Sequence, residues 1–193
     1  MGVEFELKFS AVPAQQEAIR QQYLSTYEQY RMQTTYYDTD GETLSQRHIT
    51  LRCRMENKEA VCTVKTPLEG YGRGEWDCRC DDIHQAIPVL VKAGAPEELL
   101  SLTAGGVIPV CGARFTRQAG TIDFAGAVLE LALDQGILIG GGKELPLCEV
   151  EVELKSGEPE AAIAFSMELK RYFALEPQGK SKFRRALELA QEA

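Results

Sequence analysis

The sequence predicts an α+β protein: an antiparallel sheet of about eight strands, curled into a closed β-barrel with a charged lumen and covered outside by helices. Three observations predict it. Strand-like alternation of apolar and polar residues recurs along the whole chain. Successive strands are joined by short turns more often than by helical crossovers, which favours an antiparallel sheet or barrel over a doubly wound parallel one. The polar positions of strand after strand carry charge rather than the Thr, Ser and Gln of an ordinary wet face, and about eight strands can enclose a lumen for one small ligand.

The elements follow in order. In MGVEFELKFS, Glu4, Glu6 and Lys8 alternate with Val3, Phe5, Leu7 and Phe9, which is a first strand with one charged and one apolar face. Pro13 precedes a helix-like stretch from Gln15 to Arg31, with Ile19, Tyr23, Tyr27 and Tyr30 on one side at helical spacing. TTYYDT follows, and Asp40-Gly41 signals a turn. Ile49 to Met55 and Ala60 to Thr66 read as a hairpin around Glu56-Asn57-Lys58. GYGRG is a loop and GEWDCRC a strand. Asp82 to Leu102 is helical in pattern, but Pro88 and Pro96 predict short pieces. Val107 to Arg117, Gly120 to Phe124 and Val128 to Asp134 are strands, and Gly140-Gly141-Gly142 is a loop without the GK[ST] of a phosphate-binding P-loop. Cys148 to Lys155 is the strongest strand of all. Ser156 and Pro159 start a helix to about Phe173, and Ser181 caps a last helix ending near Ala190.

Composition bounds the function. At 193 residues, with 44% hydrophobic and 26% charged residues, the chain reads as one domain over 1–193 that forms its core without staples. A net charge of −8 argues against a nucleic-acid surface. The six cysteines form no CxxC pair and have no zinc spacing with His48 or His84; most sit at apolar alternating positions, so a reduced, cytoplasmic protein is expected. No signal peptide or run of about 18 apolar residues is present, so no membrane partner is expected. The two histidines have polar neighbours and read as surface or loop residues. Tyr36, Tyr37 and Trp76 read as packing residues.

The charges are in phase. Arg52 and Arg54 share a face, as do Thr63 and Lys65, Glu75 and Asp77 and Arg79, Glu130 and Asp134, and Glu149, Glu151, Glu153 and Lys155. Like charges two residues apart repel unless something of opposite sign lies between them. Acids without Cys or His suit Mg²⁺ or Mn²⁺, and Arg and Lys suit phosphate oxygens. A site holding both implies a phosphate polyanion carried with its metal.

At this point the residues resemble a known family. EFELK is similar to the ExExK signature of the CYTH superfamily, the triphosphate tunnel metalloenzymes. YYDT, LRCR, the Lys of TVKT, RGEW, ARFTR, LALDQG, CEVEVEL and GKSKFRR follow in that family's order and spacing, over nearly the whole chain. The resemblance implies a charged eight-stranded tunnel, and it is strongest to bacterial inorganic triphosphatases; a helical CHAD domain often follows in those and is not expected here. It implies that Glu4, Glu6, Glu75, Asp134, Glu149, Glu151 and Glu153 serve the metal, Mg²⁺ or Mn²⁺. It implies that Lys8, Arg52, Arg54, Lys65, Arg73, Arg114, Arg117, Lys182 and Arg185 hold triphosphate, with Lys182 and Arg185 on a final helix that closes the tunnel. It further implies that a second metal, or an acid such as Glu153, orients and deprotonates the attacking water, with Lys8 and Lys65 as the other catalytic residues. The expected partner is inorganic triphosphate or another triphosphate-bearing small molecule, with a homodimer left open. Thiamine-triphosphatase or class IV adenylate cyclase activity is the alternative within the family, and a non-catalytic polyphosphate- or nucleotide-binding module the alternative outside it.

Overall fold

The computed structural model describes residues 2–68 and 72–192. Gly70 and Tyr71 of the expected GYGRG loop lie outside them, as does the side chain of Val3. The chain runs β1 (Gly2–Glu4), β2 (Glu6–Ser10), α1 (Pro13–Tyr23), β3 (Glu28–Asp38), α2 (Thr43–Gln46), β4 (Thr50–Glu56), β5 (Glu59–Pro67), β6 (Arg73–Arg79), α3 (Ile83–Lys92) and α4 (Glu98–Leu102). Three long strands follow, β7 (Ile108–Phe124), β8 (Ala127–Gly140) and β9 (Lys143–Ser156), then α5 (Pro159–Phe173), the short β10 (Glu176–Pro177) and α6 (Lys182–Gln191).

The strands form one sheet in the order β1-β6-β5-β4-β3-β7-β8-β9-β2-β10, antiparallel at every pairing. The expected eight-stranded closed barrel is corrected on two counts. Among the described residues the sheet has ten strands, and its hydrogen-bonded order is an open series. The opening and one of the two extra strands come from a break at Phe5; the other extra strand is the short β10, which pairs with β2. Residues before it pair with β6, at Glu4 opposite Arg73, whereas residues after it pair with β9, at Glu6 opposite Glu153. The Phe5 carbonyl accepts from the Leu154 amide at 2.9 Å. One N-terminal segment thus borders both ends of the long ribbon, but no residue of it pairs with both.

Other boundaries also moved. The helical spacing of Ile19, Tyr23, Tyr27 and Tyr30 overran: α1 stops at Tyr23, and Glu28 already belongs to β3. The expected strands on either side of Gln118-Ala119 are one strand, β7. Pro88 sits inside α3 without ending it, while Asp82 caps that helix by accepting from the His84 amide at 2.8 Å. Ser181 caps α6 as expected, accepting from the Arg184 amide at 3.1 Å.

Period-two alternation sorts the side chains. On the outer face, Phe9, Leu129, Leu131, Leu133, Val150 and Val152 pack under α1 and α5, through Ile19, Ala162, Phe165 and Leu169. Leu51, Cys62, Val64 and Trp76 pack under α3 and α4, through Ile83, Ala86, Ile87, Leu90 and Leu99. Side chains buried this fully each cost about 2–5 kcal/mol when cut to alanine, so the covered outer face is where most of the core lies. The third cluster is different. Met32, Tyr36, Ala113, Phe115, Leu138 and Leu147, from the face that also bears the charges, meet Phe183, Ala186 and Leu187 of α6. So α6 does not cover the outside; it packs on the inner face. Gly140 permits the approach, because a Cβ there would stand 2.2 Å from the Ala186 carbonyl oxygen.

Candidate functional site

The inner face encloses a cavity of about 690 Å³. β4, β5 and β6 send in Arg52, Arg54, Lys65, Arg73 and Glu75; the N-terminal segment sends in Glu4, Glu6 and Lys8; β9 sends in Glu151 and Glu153; Arg117 comes from β7 and Lys182 from α6. Those twelve residues all come from the sequence-predicted set. Three more, Asp134, Glu149 and Arg185, are ion-paired to its deep end. Arg114 is not in the cavity. It stands three residues from Arg117 on the same strand, hence on the opposite face, and pairs with Glu144 at 3.0 Å in an exposed position.

The deep end is an ion network, in which the Arg185 Nε is left without an acceptor among the described residues. Asp134 and Glu149 have no exposed surface, and Glu151 has 4%. Their carboxylate oxygens lie within 4.8 Å of one another, a spacing that a divalent cation can bridge. Three positive side chains already fill that role. Arg117 forks onto Asp134 at 2.8 and 2.7 Å and also reaches Glu151. The Lys182 ammonium meets Asp134 at 2.8 Å, Glu149 at 2.7 Å and Glu151. Arg185 meets Glu149. Burial opposes ionisation of Glu151, but Lys182 and Arg117 overcome it and hold the carboxyl well below the usual range. Burial likewise opposes the charge on Lys182, and Asp134, Glu151 and Glu149 overcome it, so the ammonium holds its proton far more firmly than a free lysine. The Phe115 ring underlies the group, 5.8 Å from Arg54, 6.0 Å from Arg117 and 5.4 Å from Lys182.

The shallower part is less well compensated. Burial, then the charge of nearby Glu151, push the Glu6 carboxyl up to about 7, although Lys8 stands 3.4 Å away. Burial also raises Glu153 despite Lys155 at 2.8 Å. Glu4 goes the other way: burial opposes it, but Lys65 wins and lowers it. On the opposite wall, Lys65 and Arg52 share Glu75 at 3.3 and 3.5 Å. Arg54 donates through Nε to Thr34 Oγ1 at 3.0 Å, and burial with the neighbouring Arg52 charge brings it down to about 10. The Arg52 Nε is buried with no acceptor among the described residues. Arg73 donates only to neutral oxygens there: the His48 carbonyl at 2.8 Å, Thr50 Oγ1 and the Lys65 carbonyl.

Several residues that line the cavity or support its lining escaped the sequence reading. Thr34 and Phe115 carry no charge, so alternation alone placed them nowhere special, yet one accepts from Arg54 and the other underlies three cations. Asp77, Glu130 and Lys155 were in phase with the others but had no assigned role, and they line the same cavity. Tyr36 both packs, 5.1 Å from the Phe183 ring, and faces the cavity. His84 is exposed beside the α3 cap, and His48 is exposed in the turn after α2.

This architecture has known counterparts. A protein of Pyrococcus horikoshii superposes with a TM-score of 0.65 at 21% identity, over 96% of this chain and 99% of its own. A Hippeastrum protein with a dominant triphosphatase activity superposes with a TM-score of 0.64 at 18% identity, over 100% of this chain and 96% of its own. At such identities the likeness is one of fold. In sequence, the inorganic triphosphatase of Haemophilus influenzae is 31% identical over 127 residues, covering 64% of this chain. The match takes in 36% of that relative, so the chain spans about a third of its length. The CYTH domain profile matches residues 2–187, nearly end to end, and the chain belongs to the CYTH family.

Proposed function

We propose that this protein is a metal-dependent hydrolase that splits inorganic triphosphate into pyrophosphate and phosphate, with the cavity acting as a tunnel whose seam is the N-terminal segment. The observation that carries the reading is the Arg52 Nε: a buried cationic donor without an acceptor, in a wall that also holds Arg54, Lys65 and Arg73. An unmet buried donor is costly, and a phosphate oxygen supplies what it lacks. The match to the Haemophilus influenzae inorganic triphosphatase supports the same substrate class.

The acids fit a hard divalent cation. The described lining residues carry eight cationic and seven carboxylate side chains, so a bare polyanion would not be matched by the cavity, whereas one arriving with a cation would. Glu6, whose carboxyl is pushed up to about 7, is short of positive charge, and its neighbours Glu4 and Glu153 offer only oxygen. Glu4 and Glu6, with Glu153 left beside them as the base, would hold Mg²⁺ or Mn²⁺, and the cation would supply neutralisation of charge on the phosphate oxygens. Arg52, Arg54, Lys65, Arg73 and Lys8 bind and orient the three phosphates, and Arg117 and Lys182 keep the deep end fixed. Water attacks the terminal phosphorus, and the bond from that phosphorus to its bridging oxygen breaks. The leaving pyrophosphate takes the electron pair, and the water proton passes to a carboxylate, for which raised Glu153 is suited.

The test supplies triphosphate, ATP and thiamine triphosphate to the purified protein with Mg²⁺ or Mn²⁺. Phosphate release from triphosphate, abolished by chelation and by Glu4→Gln, is expected. Tight binding without release would make the protein a binding module, and cyclic AMP from ATP would make it a cyclase.

A further inference from the structure

Arg54 is a buried cation held by weak partners. It is 7% exposed, yet its Nε donates to a neutral oxygen, Thr34 Oγ1, at 3.0 Å. Its one salt bridge among the described residues is to Glu56, two residues along the same strand, and at 3.7 Å that contact is too long for a hydrogen bond. Burial, then Arg52 and more weakly Arg117, disfavour its charge. The Phe115 ring stands against it instead, 5.8 Å from its Cζ. Arg54 on β4 and Phe115 on β7 flank β3, and strands two apart lie about 10 Å from each other. The arginine closes that gap across Thr34, its register partner, which is 2% exposed. Phe115 is itself 5% exposed and lies two residues from Arg117, on the inner face.

We propose that Phe115 is a positioning residue of the polyanion site: its ring holds the Arg54 guanidinium away from Glu56 and in the cavity wall, with its outer N–H groups left for phosphate oxygens. The proposal rests on the phosphate reading of the main cavity. Two seats compete for one arginine. Residues two apart share a strand face, so Glu56 can close on Arg54 by side-chain rotation alone. A carboxylate there would occupy the guanidinium fork, the same edge that a phosphate needs. A ring face attracts a cation without taking up its hydrogen-bond donors, and the attraction grows where water is excluded. Glu56 has 36% of its side chain exposed, so water weakens its pull, whereas the ring is buried. Arg117 and Lys182, the other cations near this ring, are already held by the deep carboxylates, which leaves Arg54 as the one the ring alone can direct.

Calorimetric binding of triphosphate without metal, and KM with Mg²⁺, read the competition. Phe115→Leu is expected to weaken binding roughly three- to tenfold, and Glu56→Gln alone to leave it near the parent's. The double variant Phe115→Leu/Glu56→Gln is expected to recover most of the loss, because the competing seat is gone. Phe115 also packs in the inner apolar cluster, so a shape-keeping series accompanies it: mono-, di- and trifluorinated phenylalanine at that position, which drain the ring face stepwise. Affinity is expected to fall with each fluorine at an unchanged Tm. A loss in Phe115→Leu that Glu56→Gln does not recover, or affinities indifferent to fluorination, would overturn the proposal. Exchange of the Arg54 Nε–H, followed by NMR with no anion present, is expected to be faster in Phe115→Leu and in the trifluorinated protein than in the parent. If the parent binds no triphosphate, the phosphate reading fails, and these exchange rates alone judge the ring's hold on Arg54; equal rates in all three proteins would overturn that hold as well.

Discussion

Replacing Lys182 by methionine tests the claim that the deep carboxylates are seats for cationic side chains. Methionine keeps most of the aliphatic stem, so the change removes chiefly the ammonium. The Lys182 residue is 7% exposed, and its ammonium touches three carboxylates, two of them on residues with no exposed surface. At an effective dielectric of about 20, each contact near 2.8 Å is worth roughly 6 kcal/mol before desolvation is subtracted. After that subtraction, removing one member of a buried network costs about 3–5 kcal/mol. For a chain of 193 residues this is roughly 6–20 °C in Tm. The pH dependence follows from sign. Glu151 has a folded pKa held below its unfolded one, so its stabilisation is present above about pH 4.5 and is lost as pH falls toward the folded value. Without Lys182 its carboxyl moves up and can protonate, so the deficit of Lys182→Met should be largest near pH 7 and shrink toward pH 4. Scanning calorimetry of both proteins across that range measures it. A Tm within about a degree of the parent, or a deficit that does not change with pH, would refute the assignment.

Other outcomes follow from the same geometry. Glu6 has a raised folded pKa of about 7, so ionising it works against the fold; in the presence of chelator, Tm should fall as pH rises from about 5 to 8. Glu6→Gln should flatten that slope, and parallel slopes would argue against it. Arg52→Lys keeps the charge but loses the planar fork, and is expected to weaken triphosphate binding about tenfold by calorimetry, whereas Arg114→Lys, on the outer face, should leave binding as it was. Gly140→Ala would drive a Cβ into the Ala186 carbonyl, so α6 must shift; a lowered Tm and faster amide exchange in α6 are expected, and unaltered exchange would show that the close approach is not needed.

What the sequence made legible was what repeats locally. Period two put Glu4, Glu6 and Lys8 on one face and Val3, Phe5, Leu7 and Phe9 on the other, and the same rule applied to Arg52 and Arg54 or to Glu151 and Glu153 gives side chains that share one cavity. The rule also had the information to exclude Arg114, an odd number of residues from Arg117, where motif resemblance drew it in. It could not show the break at Phe5, because there the chain changes pairing partner between strands far apart in sequence. Nor could helical periodicity say on which side of the sheet α6 would lie; an amphipathic helix is consistent with either, and close packing at Gly140 decides for the inside.

The same limit governs the acids. Read along the strands, Asp134, Glu149 and Glu151 look like ligands awaiting a cation, no different from Glu4, Glu6 and Glu153. Each of the second group has a lysine beside it, at 3.4 Å for Glu6; what sets the deep group apart is that Lys182, 31 residues beyond Glu151, and Arg185 one helical turn later join Arg117 on the same three carboxylates. Once those and Arg117 are in place, an incoming metal ion would have to evict an ammonium bound to three carboxylates at the deep end, while at Glu6 it would relieve a shortage of positive charge. Charge type is written locally, but which charge is still unsatisfied depends on long-range pairing. On that argument Lys182→Met should do more than destabilise the protein. It should open the deep carboxylates to divalent cations, so that Mn²⁺ restores part of the lost Tm in the variant and has a smaller effect on the parent with Glu6→Gln in place. Equal Mn²⁺ shifts in Glu6→Gln with and without Lys182→Met would show that the ammonium and the metal never compete for the same seat.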